Sequence, residues 1–377
     1  MRRFRRTLVA AALATAMVGG TAGWASGNIQ RAVTGPPVGS AAWRADDSLG
    51  RALPDPASAT PGQVARFFAT LTPSRSQQLV RRHPLVVGNL DGAPVALRYE
   101  ANSRAIRAEH DPRYERLAKP GRQILAFDPR GRGQVAEVYG DLATARHVSV
   151  VVPGSDIDAA TFDRTKDPYG TPAGMAGALR AATGGRTAVI AWAGYTTPVG
   201  FGLDVATGDL AEAGAGRLAR FTQGLTAAGV GQPVLFCHSY GAVVCGLAAS
   251  EVNATDIVVL GAPGMRAGHR ADLHTDARVW AAKNPSDWIS RVPHVEIAGL
   301  GHGQDPAAPS FGARRVPADL AEGHTGYFVP GTDSLRAFAA IAQGRITRSD
   351  IAQGRITRSD IAQDDITRDD ITRGEVR

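Results

Sequence analysis

From Gln123 onward the chain alternates short apolar runs with Gly- and Pro-rich turns. HVSVVVPG, RTAVIAWAG, QPVLFCHS, TDIVVLGAPG and ARVWAAKN each hold an unbroken Val/Ile-rich stretch. That is the pattern of strands buried on both faces, rather than the alternation of a half-solvated strand. Longer stretches with helical spacing separate several of them, such as ATGDLAEAGAGRLARFTQGLTAAG before QPVLFCHS. Strands alternating with helices predict an α/β fold, a mostly parallel sheet with helices on both faces. Two earlier runs, RQILAFD and GQVAEVYG, flank Pro129-Arg130-Gly131-Arg132, which reads as a hairpin turn.

Upstream, the texture is helical. Thr60-Pro61 makes a helix start, with Thr as N-cap and Pro in the first turn. Helical patterns continue through PGQVARFFATL, SRSQQLVRRH and VALRYEANSRAIRAEHDPRYERLA, a lead-in over residues 61–120. Residues 26–60, rich in Gly, Pro, Ala and Ser, are expected to be a linker. Residues 1–25 have the layout of an export signal: the charged MRRFRR, the apolar TLVAAALATAMVGG and a small-residue cleavage site ending at Ala25. That apolar run is shorter than the ~20 residues needed to span a bilayer. A secreted protein is therefore expected, with membrane association through an uncleaved N-terminal segment as the alternative.

The catalytic domain is expected to span 121–344, followed by a repeat tail over 345–377. From Ile341 the decapeptide IAQGRITRSD occurs twice, and isoleucine recurs every five residues from Ile341 to Ile371. Five residues advance a helix by about 140°, and an odd step alternates the faces of a strand, so neither element lines the isoleucines up. The seven basic and seven acidic residues from Arg345 onward suit a solvated, disordered appendage.

Composition changes this picture little. The formal charge of +7 includes Arg2, Arg3, Arg5 and Arg6, and without residues 1–25 it falls to +3. No basic cluster interleaved with aromatics appears, which argues against nucleic acid as a partner. Only Cys237 and Cys245 are present, with no histidine spacing to make a zinc site. A cysteine ending a strand and another two turns into the next helix are expected to be small buried groups rather than a bridge. No cofactor, no metal and no obligate protein partner are expected.

The chemistry concentrates at Cys237-His238-Ser239-Tyr240-Gly241, directly after the strand QPVLF and before the helix-compatible AVVCGLAASE. A serine on a tight strand-to-helix turn exposes its Oγ above the sheet, as in the G-x-S-x-G nucleophile elbow, with Cys237 standing where the first Gly is usual. Such a serine needs a base oriented by a carboxylate, in the chain order Ser, Asp or Glu, His. ARVWAAKN runs into Asn284-Pro285-Ser286-Asp287, which puts Asp287 at the carboxyl edge of the sheet, whereas Asp256 begins a strand and lies at the opposite edge. His302 in GLGHGQDP and His324 in GHTGYF both follow Asp287. His324, after the short segment ARRVPAD and just before the helix-like run from Asp333, is favoured, and His302, directly after the run HVEIAGL, is left open. Donors for a developing oxyanion are expected at the backbone N–H of Tyr240 and in the turn after VVVPG, near Gly154 or Ser155. Asp156 and Asp158 are expected to cap the following helix or shape that loop rather than bind a metal.

From about Val64 to Gly344 the chain resembles the actinobacterial α/β-hydrolases long catalogued as a family of unknown function. The resemblance rests on VVGNLDGAPVALRYEAN, VVVPGSD, CHSYGAVVCG, VLGAPGM, SDWI, HGQDP with FGARRV, and GHTGYFVPGTDSL. It implies the α/β-hydrolase fold and a Ser-His-Asp triad, falling on Ser239, Asp287 and one of the two histidines. Members usually carry Gly-His-Ser-Tyr-Gly, so Cys237 is a departure. SDWISRVP and the later GHTGYF are also similar to the fungal triacylglycerol lipases, and that resemblance implies His324. The expected activity is hydrolysis of an ester, or of an amide or thioester, through an acyl-enzyme, on a small-molecule or lipid-like acyl substrate. Acyl transfer on the same fold and a non-catalytic binding module are the alternatives.

Overall fold

The computed structural model describes residues 30–345 except 201, 293 and 298. The export signal expected over 1–25 and the repeat tail beyond Arg345 lie outside the described residues.

Five helices lead in: α1 (Ser40–Arg44), α2 (Pro61–Ala69), α3 (Pro73–Arg82), α4 (Pro84–Asn89) and α5 (Val95–Glu109). Proline occupies the first turn of α2, α3 and α4, where its missing N–H costs no helical bond. Thr60 caps α2 through a reciprocal box: its Oγ1 accepts from the Gln63 N–H at 3.2 Å and its own N–H donates to Gln63 Oε1 at 2.7 Å.

The stretch expected to be a linker is, from residue 30, packed structure. Trp43 on α1 is fully buried in a cluster with Val64, Phe68, Leu79 and Val86, and its indole N–H donates to Pro54 O at 2.7 Å. Asp46 joins it to α3 and α4, accepting from His83 Nε2 at 2.6 Å and pairing with Arg82 at 3.2 Å. A small-residue composition hid one large anchor and one ion pair, and those two are enough to fix the segment.

The main sheet has eight strands in the order β1-β2-β4-β3-β5-β6-β7-β10. β1 (Ile124–Asp128) and β2 (Gln134–Tyr139) form the expected antiparallel hairpin. β3 (His147–Val152), β4 (Thr187–Ala193), β5 (Val234–His238), β6 (Asp256–Leu260), β7 (Arg278–Ala282) and β10 (Arg314–Val316) run parallel. A separate small hairpin joins β8 (Glu296–Ile297) to β9 (Leu300–Gly301).

Both faces of the sheet are covered, as the unbroken apolar runs require. Leu235 and Cys237 of β5 face a core with α8 (Asp209–Ala227) and α9 (Gly241–Ala248), while the alternate Val234 and Phe236 face one with α6 (Pro172–Ala182) and α10 (Asp333–Ala342). The short α7 (Leu203–Thr207) lies in the connection between β4 and α8. Among the described residues no helix is long and apolar enough to cross a membrane. Because six strands are parallel, their carboxyl ends share one edge, the position where open α/β sheets place their ligands. The segments holding Gly154, Ser239, Asp287 and His324 all follow strands at that edge.

Replacing Trp43 by Ala is expected to lower stability by about 3–5 kcal/mol, the range for emptying a large aromatic site. Denaturant unfolding measures this, and a loss under about 1 kcal/mol would show that the lead-in is not part of the cooperative core.

Candidate active site

Ser239 follows the last residue of β5 and precedes α9, with a backbone φ of 54°. A non-glycine residue is rarely held in this left-handed region, and its surroundings must fix it there. The Ser239 N–H donates to Leu260 O at 3.0 Å, extending the β5–β6 ladder into the turn. Gly241 lets the helix start against β3, since a Cβ there would lie 2.5 Å from Val152 O.

Cys237 and Cys245 form a disulfide, which corrects the expectation of two small buried thiols. Side chains alternate along a strand, so Cys237 points to the α9 face while His238 points to the other. Cys245, on the second turn of α9, is aimed back at it. The residue that replaces the usual glycine of the elbow thus ties the strand to the helix on either side of Ser239.

The structure brings Ser239, His324 and Asp287 together. The Ser239 hydroxyl donates to His324 Nε2 at 2.8 Å. His324 Nδ1 faces both carboxylate oxygens of Asp287, at 2.9 and 3.1 Å, and therefore carries the ring proton in this arrangement. Asp287 is buried. Burial alone would raise its pKa, but the hydrogen bond and charge of His324, the Ile289 N–H and the Tyr327 hydroxyl outweigh it and hold the carboxyl below its ordinary value. Ile289 N donates to Oδ1 at 2.9 Å and the Tyr327 hydroxyl to Oδ2 at 2.7 Å. Asp287 is thus at once a cap for the short turn Trp288–Arg291 and the partner of His324.

His302 lies elsewhere. Its Nε2 donates to Val205 O at 2.6 Å, and its ring meets Tyr240 edge-on at 5.5 Å. Burial lowers its pKa. This histidine holds α7 and the 300–304 loop against the elbow. Asp256, at the opposite edge, accepts from Arg278 at 2.6 Å and from the Trp280 indole at 2.8 Å.

Of the expected oxyanion donors, Tyr240 and Gly154 lie beside Ser239. Tyr240 is the N-cap residue of α9. Gly154 lies so close that a Cβ there would be 2.6 Å from Ser239 Cβ and 3.1 Å from Tyr240 N, so only glycine leaves room for a substrate oxygen. The loop that continues through Ser155 is fixed on both sides: Pro153 O accepts from the Tyr195 hydroxyl at 2.8 Å, and Asp156 N donates to Pro198 O at 2.8 Å. Asp156 also accepts from Gly200 N at 2.8 Å, and Asp158 accepts from Ala160 N and Thr161 N at 2.9 Å. Both aspartates shape the loop as expected. Among the described residues no group of three His, Cys, Asp or Glu side chains could hold a metal ion.

Three further residues, Tyr327, Trp288 and Gly261, escaped the sequence reading. Tyr327 braces Asp287, and its oxygen accepts from Asn284 N at 3.2 Å. Trp288 packs its ring 4.7 Å from that of His324. Gly261 admits the pair, since a Cβ there would lie 2.8 Å from Asp287 Oδ2 and 3.1 Å from His324 Cε1. His238 is buried and donates from Nε2 to the backbone O of His324 at 2.7 Å. Tyr327 and Trp288 stand inside GHTGYF and SDWI, but nothing in residue type or spacing told bracing side chains from packing ones.

His238 generates a pH prediction. Burial, helped by the charge of His324, pushes its pKa down to about 3, against roughly 6.5 for an exposed histidine. Below pH 6.5 the unfolded chain takes up a proton that the folded one refuses, so stability is lost as pH falls from about 6.5 towards 3. In His238→Gln that contribution disappears, and the slope of unfolding free energy between pH 6 and 4 should flatten by up to about 1.4 kcal/mol per pH unit. Equal slopes in denaturant titrations of the two proteins would contradict the buried neutral imidazole.

Residues 128–297 match the family described as alpha/beta hydrolase. The uncharacterized proteins MT2140 and Rv2079 of Mycobacterium tuberculosis (strains CDC 1551 / Oshkosh and ATCC 25618 / H37Rv) are each 30% identical over 373 residues, covering 78% of this chain and 57% of theirs. The chain thus spans little more than half the length of these relatives. Among solved structures it is similar to XC6422 from Xanthomonas campestris, an α/β serine hydrolase without lid (16% identity, 61% of this chain, 95% of that one, TM-score 0.35). It is also similar to dienelactone hydrolase from Anabaena variabilis (17% identity, 56% of this chain, 89% of that one, TM-score 0.34). The family match runs across the parallel sheet and the strand-to-helix turn that carries Ser239, and the chain has the α/β-hydrolase fold.

Proposed function

We propose that this chain is an exported serine hydrolase that cleaves a carboxylic ester through an acyl-enzyme. The observation that carries this reading is the continuous hydrogen-bonded line from Ser239 Oγ through His324 to Asp287. Ser239 Oγ attacks the ester carbonyl as its proton passes to His324 Nε2. The Tyr240 N–H, with a second donor at Gly154 or Ser155, receives the developing oxyanion. His324 then protonates the departing alkoxide, and a water activated by the same nitrogen releases the acid. Asp287 remains a carboxylate throughout: its three protein donors favour the charged form, and it stabilises the imidazolium that forms.

Two further features support the substrate class and the compartment. Val199, Leu203, Trp288, Val295, Leu300 and Val329 are exposed on segments that follow strand ends at the carboxyl edge, which suits an apolar acyl group. The Cys237–Cys245 bridge suits an oxidising compartment, in keeping with the export signal read in residues 1–25.

Steady-state hydrolysis of p-nitrophenyl esters of graded chain length tests the assignment. Butyrate and longer esters should be preferred over acetate. Ser239→Ala and His324→Ala should each lower kcat by several orders of magnitude, on the order of 10⁶, because triad members act as a unit. Asp287→Asn should cost on the order of 10⁴ through the wrong imidazole tautomer. His302→Ala should keep kcat within about tenfold of wild type and act mainly on stability. A well-folded but inactive His302→Ala beside an active His324→Ala would move the base to His302.

A further inference from the structure

The amino edge of the sheet, opposite Ser239, holds a cavity of about 500 Å³ that the candidate site does not use. It opens where β3 begins at His147, beside the start of β4, and where Gln343 follows α10. Four arginines line it, Arg146, Arg180, Arg186 and Arg345, against one carboxylate, Asp141. Asp141 is already engaged: it accepts from Ala143 N at 2.9 Å and from the Thr144 hydroxyl at 2.8 Å. Arg180 is held in place by donating to Gly185 O at 2.9 Å and Thr187 O at 3.4 Å. The guanidinium groups of Arg146 and Arg186 pair with no described residue. Cations converging on one concavity repel one another and favour an anionic guest.

A second, independent observation concerns Gln343, which lines the same cavity and is only 7% exposed. Its amide nitrogen donates to Thr183 O at 2.9 Å, which leaves Oε1 as a buried acceptor without a partner. A buried acceptor beside a cavity can be satisfied by a donor from water or from a guest. We propose that this cavity binds a small organic phosphate monoester that also carries a hydroxyl or amine. The arginine forks match phosphate oxygens two at a time. Arg146 and Arg186, whose guanidinium groups have no described partner, together with Arg180 favour a dianion over a single carboxylate. The hydroxyl or amine supplies the donor that Gln343 Oε1 lacks, and the volume admits an organic portion beyond the phosphate itself.

Calorimetric titration of the full chain with glycerol 3-phosphate tests this, with inorganic phosphate, glycerol and phosphatidic acid vesicles as separate arms. Glycerol 3-phosphate should bind at least tenfold more tightly than inorganic phosphate, and glycerol not at all. Arg146→Gln/Arg186→Gln changes two exposed side chains, should keep the wild-type melting profile, and should weaken binding at least tenfold. Gln343→Leu should remove the preference for the ester over inorganic phosphate. Unchanged affinity in the folded double-arginine variant would overturn the proposal, as would an absence of saturable binding. Binding to vesicles alone, or binding that appears only when residues 346–377 are removed, would overturn it as well.

Discussion

Ser239 is held with a left-handed backbone, a conformation that costs about 1–3 kcal/mol and persists only where neighbours over-determine it. Much of the structure can be read as that over-determination. β5 lies inside an eight-stranded sheet, and its ladder to β6 continues into the Ser239 N–H. Gly241 and Gly154 let backbone approach from β3 and its loop to distances that no side chain allows. The disulfide from Cys237 to Cys245 closes the turn covalently from the α9 side. Each of these holds the serine oxygen where an imidazole from a distant segment can reach it.

The electrostatic half of the site follows from burying Asp287. A carboxylate removed from water keeps its charge only if donors replace the lost hydration. Here His324, Ile289 and Tyr327 provide them, and Gly261 leaves the space in which His324 and Asp287 meet. His238 adds a support from beneath, anchoring the backbone of His324 while remaining neutral itself. A charged imidazolium at that position would lie 4.7 Å from the ring of His324 and oppose any positive charge there.

The elements that apolar periodicity specifies were legible in the sequence: seven of the eight main-sheet strands, the hairpin at Pro129–Arg132 and the start of α2 at Thr60. The triad residues were legible for a related reason. Parallel strands send the residues after them to one edge, so a position following a strand can be read as a position near the site. His324 and His302 could not be separated that way, because both come after Asp287 and each follows a short strand. What separates them is the hydrogen bond of His302 to Val205, set by the path of a loop. The bridge was missed because its geometry depends on how far a helix stands from its strand, and local spacing does not encode that. The ordered segment around Trp43 was missed because one indole and one aspartate outweigh the small residues around them in energy but not in composition.

The central claim, that Ser239 is a nucleophile activated by His324, is tested most directly by peptide mass spectrometry after reaction with a fluorophosphonate probe. The account predicts one adduct, on the peptide containing Ser239, forming at least 10³-fold more slowly in folded His324→Ala because the base is gone. Labelling of another residue, or undiminished labelling of Ser239 in that variant, would contradict it.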